Sequence, residues 1–425
     1  MNFSEHRPKV YFKTFGCRTN IFDTQVMISN LKDFDVTNNE KEANVVIINS
    51  CTVTNSADTT ARSYINSLKK LENSPKVIFT GCGTRTKGEK LFADDKIDGL
   101  FGSSLKENIN EILKLDDKFY KLGDLKSLDT TVVEEFVGKS RAFIKIQEGC
   151  DFRCSYCIIP LVRGDARSYE ESVILNQVQT LANNGFSEFI LTGTNVGSYG
   201  KKMHTSLAKL LKKMSLIKGV KRIRMGSIEP IQIDDEFKEL INEPFMAKHL
   251  HIALQHTSKE MLKIMNRRNK VLSDLELFEF LSQNGYALGT DFIVGHPGET
   301  QELWNEAMKN LHNFPLTHIH AFTYSKRDGT PSASMKDIVK GDVAKDRYIE
   351  LIEIIKQKNY EFRQNIKNNK VKLEVLVEQE KNGKYLGFDQ FFNQVEISSN
   401  EDLVSDWLNL EDYKVEFNKN EARFK

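Results

Sequence analysis

Short continuous apolar runs alternate along the chain with stretches of helical periodicity. KVYFKTFG is an extended apolar-rich run ending at Cys17, and a helical stretch from Asp23 to Leu31 follows. NVVIINS is a continuous β-branched run ending at Cys51, and Ser56 is placed to cap a helix reaching about Leu71. KVIFTG, entered after Pro75, ends at Cys82; IDGLFGS is a weaker fourth strand, with a helix from about Leu105 to Leu115 behind it. Continuous apolar strands separated by helices predict a parallel sheet covered on both faces. Ligands of such sheets bind beyond the carboxyl ends of the strands. Cys17, Cys51 and Cys82 all fall at those ends, so three thiols converge on one edge.

Phe119 to Lys139 is polar, with few periodic apolar positions, and reads as a linker. Strand–helix alternation then resumes. AFIKIQE, EFILTG, RIRMGS, HLHIALQ, ALGTDFIVG and HIHAFTY are candidate strands, with helical stretches at Glu170–Asn183, Ser206–Met214, Asp234–Ile241, Ser258–Met265 and Glu299–Leu311. Six βα units predict a full or partial (β/α) barrel with its site at the C-terminal mouth of the strands. Tyr348, Leu351, Ile352 and Ile355 make one stripe of a closing helix. From Val371, VKLEVLVEQEKNGKYLGF and NQVEISS alternate around an Asn-Gly turn, the pattern of a small β domain. The expected fold is α/β, with an N-terminal domain over 8–116, a linker over 117–135, a barrel core over 136–366 and an all-β domain over 367–425.

Composition narrows the function classes. Apolar residues make up 40% and charged residues 28% of 425, an ordinary globular mixture rather than a disordered one. The net charge is +1, so a polyanion site has to be a local patch. No apolar run approaches a membrane span and MNFSEHRPKVYFKTFG lacks a signal-peptide core, so a soluble cytoplasmic protein is expected. The six cysteines all precede residue 158. In a cytosolic chain they do not read as a disulfide framework.

Cys150, Cys154 and Cys157 stand at C-x3-C-x2-C on one short loop after a strand that opens a βα series. Three thiolates do not complete a tetrahedral zinc site. A 4Fe–4S cluster also takes four thiolates, so on these three one iron would be open to another ligand. A zinc loop with a distant fourth ligand is the bland alternative. For Cys17, Cys51 and Cys82 the alternative is core packing, since buried cysteine behaves as a small hydrophobe. Their equivalent strand-end positions favour a second metal site.

The residues TFGCRTN, NSCTVTNSAD, TGC and QEGCDFRCSYCIIPLVRG, followed by LTGTNVGSYG, GSIEP, LHIALQ, MNRR, DFIVGHPGET and FTYSKRDGTPSASM, resemble the radical S-adenosylmethionine (SAM) methylthiotransferases over nearly the whole chain. That resemblance implies an N-terminal cluster domain, a radical-SAM barrel and a C-terminal TRAM-like β-barrel associated with RNA. It implies two 4Fe–4S clusters, the auxiliary one on Cys17, Cys51 and Cys82 and the SAM-chelating one on Cys150, Cys154 and Cys157. SAM would be methyl donor and radical source, and the auxiliary cluster would deliver sulfur. CTVTN, GTNVGSYG and YSKRDGTPSASM are most similar to the threonylcarbamoyladenosine branch, whose substrate is N6-threonylcarbamoyladenosine at position 37 of tRNA. The isopentenyladenosine branch is the runner-up, and a non-catalytic metal-binding RNA scaffold is the alternative of a different class. Expected partners are the tRNA anticodon stem-loop and an electron donor such as flavodoxin or ferredoxin, with no membrane.

No protein acid or base is expected, because C2–H of adenine calls for chemistry carried by the cofactor. Tyr156 is a candidate to pack on the SAM adenine, and Thr192, Gly193, Thr194 and Asn195 to meet its amino group. Ser227 and Glu229 suit ribose hydroxyls, and Gln255 and Gly295, on later strand ends, are candidates to line the same mouth. Pro160, Arg163, Gly164 and Ser168 match the family pattern and receive no catalytic role. His318 and His320 read as satisfied barrel residues rather than ligands. Lys201 to Arg224 holds nine Lys/Arg and no acidic residue, with Lys209, Lys212 and Lys213 as candidate RNA contacts. From Lys367 onward the net charge is −3, which disfavours a broad phosphate patch there. Gly83-Thr84-Arg85, His256-Thr257 and His296 depart from the family pattern.

Overall fold

The computed structural model describes residues 7–136 and 138–424. The chain forms two compact units. Unit 1 comprises the chain to Glu135, Ile144–Thr180 and Ser325–Ala333; unit 2 comprises Phe136–Phe143, Leu181–Tyr324 and the chain from Ser334 onward.

Unit 1 is built on a six-stranded parallel sheet. Its spatial order is Asp35–Val36, Lys9–Thr14, Val45–Ser50, Lys76–Gly81, Gly99–Phe101 and Phe119–Lys121. Val45–Ser50 is buried at every position, as its unbroken apolar run requires of a central strand covered on both faces. Thr54 caps Asn55–Leu68 by accepting from the Ala57 N–H, whereas Ser56 lies inside that helix. The first helix spans Arg18–Ser29 and starts directly after Cys17, earlier than its apolar spacing indicates, because Thr19, Asn20 and Asp23 are buried polar residues. Residues 117–135 are not a solvated tether. Phe119–Lys121 is the sixth strand, Asp129 and Val133 are buried, and Val133 N donates to Gln177 Oε1 at 2.7 Å.

Glu188–Thr192 runs parallel to Arg222–Arg224, and Ala287–Val294 runs parallel to both His249–His251 and Leu316–Thr323. Ala142–Lys145, Glu188–Thr192 and Arg222–Arg224 form one three-stranded sheet; His249–His251, Ala287–Val294 and Leu316–Thr323 form the next. Parallel bridges Ile223–Met246 and Ile228–Ile252 join them. The helix Gly341–Asn368 carries buried Leu351 and Ile355. It leads into a curled six-stranded sheet ordered Trp407–Leu410, Leu373–Lys381, Lys384–Phe388, Gln394–Ser398, Asn420–Arg423, Lys414–Val415. Leu373, Val375, Val377, Val395 and Ile397 supply its core by strict alternation. Among the described residues, no helix is long and apolar enough to cross a membrane.

Candidate functional site

Unit 1 carries all six cysteines. Cys17 is exposed at the N-terminus of Arg18–Ser29. Cys51 directly follows Val45–Ser50, Cys82 opens the turn Cys82–Arg85 after Lys76–Gly81, and both are buried. The backbone makes this approach possible. Gly16 is left-handed (φ 106°), and a Cβ there would lie 2.5 Å from Cys51 Cβ and 3.1 Å from its Sγ. Burial pushes the Cys51 thiol up to about 12, and its neighbours Cys82 and Cys17 add to the rise. Burial raises Cys82 as well, against the pull of Arg163. Thiols that oppose one another's ionisation act as ligands only when positive charge is supplied between them, which fits a metal cluster.

One positive charge is built in. Arg163, 1% exposed, directs Nε at Cys82 Sγ (3.1 Å). Its Nη1 donates to Asp23 Oδ2 (2.8 Å) and Glu148 Oε1 (2.5 Å), and its Nη2 to Asn20 Oδ1 (2.7 Å). Lys145 donates to Asp23 Oδ1 (2.6 Å) and Asp129 Oδ2 (2.8 Å), Lys106 lies 2.7 Å from Asp129, and the Tyr169 hydroxyl donates to the same carboxylate at 2.6 Å. Three cations thus face three carboxylates in a buried pocket. Burial alone would raise the acids, but Lys145, Lys106 and Arg163 hold Asp23 and Glu148 below the ordinary carboxylate range; Lys145 and Lys106 do the same for Asp129. Sequence reasoning left Arg163 without a role. Its partners Asn20, Asp23 and Cys82 are remote in the chain, and no local pattern announces them.

The second triad lies on the loop between Gln147–Glu148 and the helix Ile159–Arg163. Cys154 is buried, Cys150 and Cys157 half-buried. Cys150 N donates to Gly164 O (3.0 Å), Cys157 N to Cys154 O (3.1 Å) and Phe152 N to Cys150 Sγ (3.4 Å). The last is the kind of bond that stabilises a thiolate cluster ligand. Ser332 fastens the loop, its N–H donating to Ser155 O and its hydroxyl pairing with Ser155 Oγ, both at 2.8 Å. Tyr156 is half-buried on this loop. Ile158 and Val162, on the helix leaving it, pack with Cys82. The segment that ends one donor set therefore abuts the other. The motifs around Cys51 and in 324–335 also meet, since Arg327 donates to Asp58 Oδ2 (2.5 Å) and Asn55 Oδ1 (2.8 Å), and Asp58 accepts from Thr52.

Unit 2 carries the other candidates. Thr192 ends Glu188–Thr192 and is buried with Asn195, while Gly193 and Thr194 between them are half-buried. Ser227 is exposed and donates to Asp291 Oδ2 at 3.2 Å. Glu229 receives a forked contact from Arg267, whose side chain is 1% exposed, so its carboxylate is already oriented by a neighbour. Gln255 is left-handed (φ 66°) and exchanges backbone bonds with Asp291 and Ile293. Gly295 (φ 75°) faces the closing helix, where a Cβ would lie 2.8 Å from Ala344 Cβ. Lys209, Lys212 and Lys213 are exposed on Leu207–Ser215 opposite buried Leu207, Leu210, Leu211 and Met214, and Lys212 lies 3.6 Å from Glu239. Arg222 and Arg224, counted in the same basic run, are buried against Glu188 instead. The departures from the family pattern are accommodated by packing. His256 Nδ1 accepts from Ser258 N (3.0 Å), Thr257 Oγ1 donates to Ala307 O (2.7 Å), and the His296 ring contacts Tyr324 at 5.2 Å.

With this geometry in hand, comparison with known proteins is specific. Residues 9–102 match the model of "Uncharacterized protein family UPF0004", and 144–311 that of the radical SAM superfamily. A Helicobacter pylori protein whose provisional name is methylthiotransferase, with no substrate in it, is 53% identical over 98% of this chain and 100% of its own. The threonylcarbamoyladenosine tRNA methylthiotransferase MtaB of Bacillus subtilis is 31% identical over 98% of this chain and 96% of its own. A tRNA-2-methylthio-N(6)-dimethylallyladenosine synthase of Hydrogenobaculum is 30% identical over 93% and 94%. The radical SAM methyltransferase TsrM of Kitasatospora setae shares the fold, with a TM-score of 0.59 at 16% identity over 77% of each chain. Two thiol triads in one unit, one at strand ends and one on a loop, and these full-length relatives agree: the chain belongs to the radical SAM methylthiotransferase family.

Proposed function

We propose that the protein methylthiolates C2 of N6-threonylcarbamoyladenosine at position 37 of tRNA, with Cys150, Cys154 and Cys157 holding the SAM-binding 4Fe–4S cluster and Cys17, Cys51 and Cys82 the sulfur-bearing one. The observation that carries the two-cluster reading is the Arg163 contact with Cys82, made from the helix that leaves the second triad. The substrate rests on the resemblance of CTVTN, GTNVGSYG and YSKRDGTPSASM to the threonylcarbamoyladenosine branch. When bound, the clusters and SAM supply the adenosyl radical, sulfur and methyl group that an unreactive C2–H demands.

The chain's own residues do the holding. Arg163 offsets thiolate charge at Cys82, and Ser332 fixes the loop of the second triad. Arg327 ties 325–333 to the segment after Cys51. Lys209, Lys212 and Lys213 form an exposed cationic face suited to phosphate. An adenine stacked in an anticodon loop has to be unstacked to be reached, so the anticodon stem-loop, rather than free nucleoside, is the expected substrate. Mass spectrometry of tRNA nucleosides from a deletion strain tests the reading. Loss of the methylthiolated threonylcarbamoyladenosine supports it. Loss of the methylthiolated isopentenyladenosine, with the former retained, overturns it in favour of the runner-up.

A further inference from the structure

We propose that His251, Asp291 and His320 form a binding site for a divalent transition-metal cation, separate from the six cysteines. The three residues stand on adjacent parallel strands of unit 2. Asp291 is the register partner of His320, and His251 pairs with Gly289, two residues before Asp291. With a side-chain period of two, residues 289 and 291 share a face, so the three side chains emerge together.

Their donor atoms converge. His251 Nε2 lies 3.0 Å and His320 Nδ1 3.6 Å from Asp291 Oδ1, and one donor atom from each residue falls within 4.8 Å of the others. With metal–ligand bonds of about 2.1 Å, neighbouring donors of one ion sit about 3.0–3.4 Å apart. The set closes onto an ion by a side-chain rotation of His320, which is 60% exposed and whose ring now lies 4.6 Å from that of His251.

The surroundings resemble a prepared site rather than a chance cluster. His251 is nine-tenths buried, and its Nε2 makes no hydrogen bond of acceptable geometry although a carboxylate oxygen is 3.0 Å away. Gly289 makes room for that ring, since a Cβ there would lie 2.8 Å from His251 Nδ1. Ser227 donates to Asp291 Oδ2, which orients the carboxylate and leaves Oδ1 to the histidines. Such outer partners are what fix metal-ligating side chains. Two imidazoles and one carboxylate suit zinc or ferrous iron and leave positions open for water or an anionic group. Contrary to the expectation from sequence, His320 then serves as a ligand.

The test uses the full chain with both triads first loaded with iron and sulfide under anaerobic conditions, so that thiolates are occupied. Cobalt(II) is added as the spectroscopic metal, and uptake and absorption are compared for wild type, His320→Ala and Asp291→Asn. The expected result is one cobalt per chain in wild type, with ligand-field bands lacking sulfur-to-metal charge transfer, displaced by zinc. Each variant should bind at least tenfold more weakly. His320 is exposed, so His320→Ala decides the matter even if Asp291→Asn fails to fold. Equal cobalt uptake by wild type and His320→Ala, or bands of thiolate origin, would overturn the site.

Discussion

Replacing Arg163 with Met removes the guanidinium and leaves three carboxylates facing two ammonium groups. None of the six side chains exceeds 4% exposure, so water cannot take over the lost charge. Taking one partner from a buried ionic set costs about 3–5 kcal/mol, and relaxation or protonation of a carboxylate keeps it from rising further. At about 1.4 kcal/mol per tenfold change, opening of unit 1 should become about 140- to 3700-fold more frequent. Both tryptophans, Trp304 and Trp407, lie in unit 2, so their fluorescence does not report this event. Hydrogen exchange of peptides spanning 18–29 and 144–148 does. Arg163→Met combined with Asp23→Asn restores charge balance, so the pair should cost clearly less than the sum of the single changes. Strict additivity, or a single-variant cost below about 1 kcal/mol, would show that the charges are not coupled as the geometry indicates.

The two triads should separate under mutation. Cys154→Ala is expected to abolish deoxyadenosine formation, whereas Cys51→Ala should keep SAM cleavage measurable and lose the methylthio product, both read by chromatography beside iron content. Full iron and normal product in Cys51→Ala would reduce the N-terminal triad to packing. Burial lowers His296 to about 4 from 6.5, so the unfolded chain takes up the proton first. Stability from this residue is complete above about pH 6.5 and is lost as pH falls toward 4, by at most about 3 kcal/mol. His296→Phe should flatten that part of the acid titration followed by tryptophan fluorescence, and an unchanged profile would count against a buried neutral imidazole. Asp23, Asp129 and Glu148 have depressed values, so unit 1 should hold its stability until pH falls below the ordinary carboxylate range near about 4, as hydrogen exchange would show. Lys209→Glu with Lys213→Glu should weaken tRNA binding and make log K against log salt shallower by about one per lost phosphate contact; an unchanged slope would mean a solvated face only.

The sequence by itself determined the fold class and the family. Continuous β-branched runs can be covered only by helices on both faces, so parallel strands and their cysteine-bearing ends are legible from NVVIINS and KVIFTG. C-x3-C-x2-C is local chemistry, readable wherever its loop lands. Leu207, Leu210, Leu211 and Met214 announce their buried stripe in the same way, because helical spacing is a short-range property. Apolar spacing puts the start of the first helix too late, because Thr19, Asn20 and Asp23 are polar yet buried, and hydrophobic pattern is blind to such residues. Only the tertiary structure decided which distant charges meet. It set Arg163 beside Cys82 and Asp23, and Lys145 beside Asp129. It buried Arg222 and Arg224 on Glu188, although their run read as a basic surface. It also gathered His251, Asp291 and His320 from three strands. Periodicity shows which face a side chain takes, but the partner on that face comes from strand register across long loops, and no window of sequence contains it.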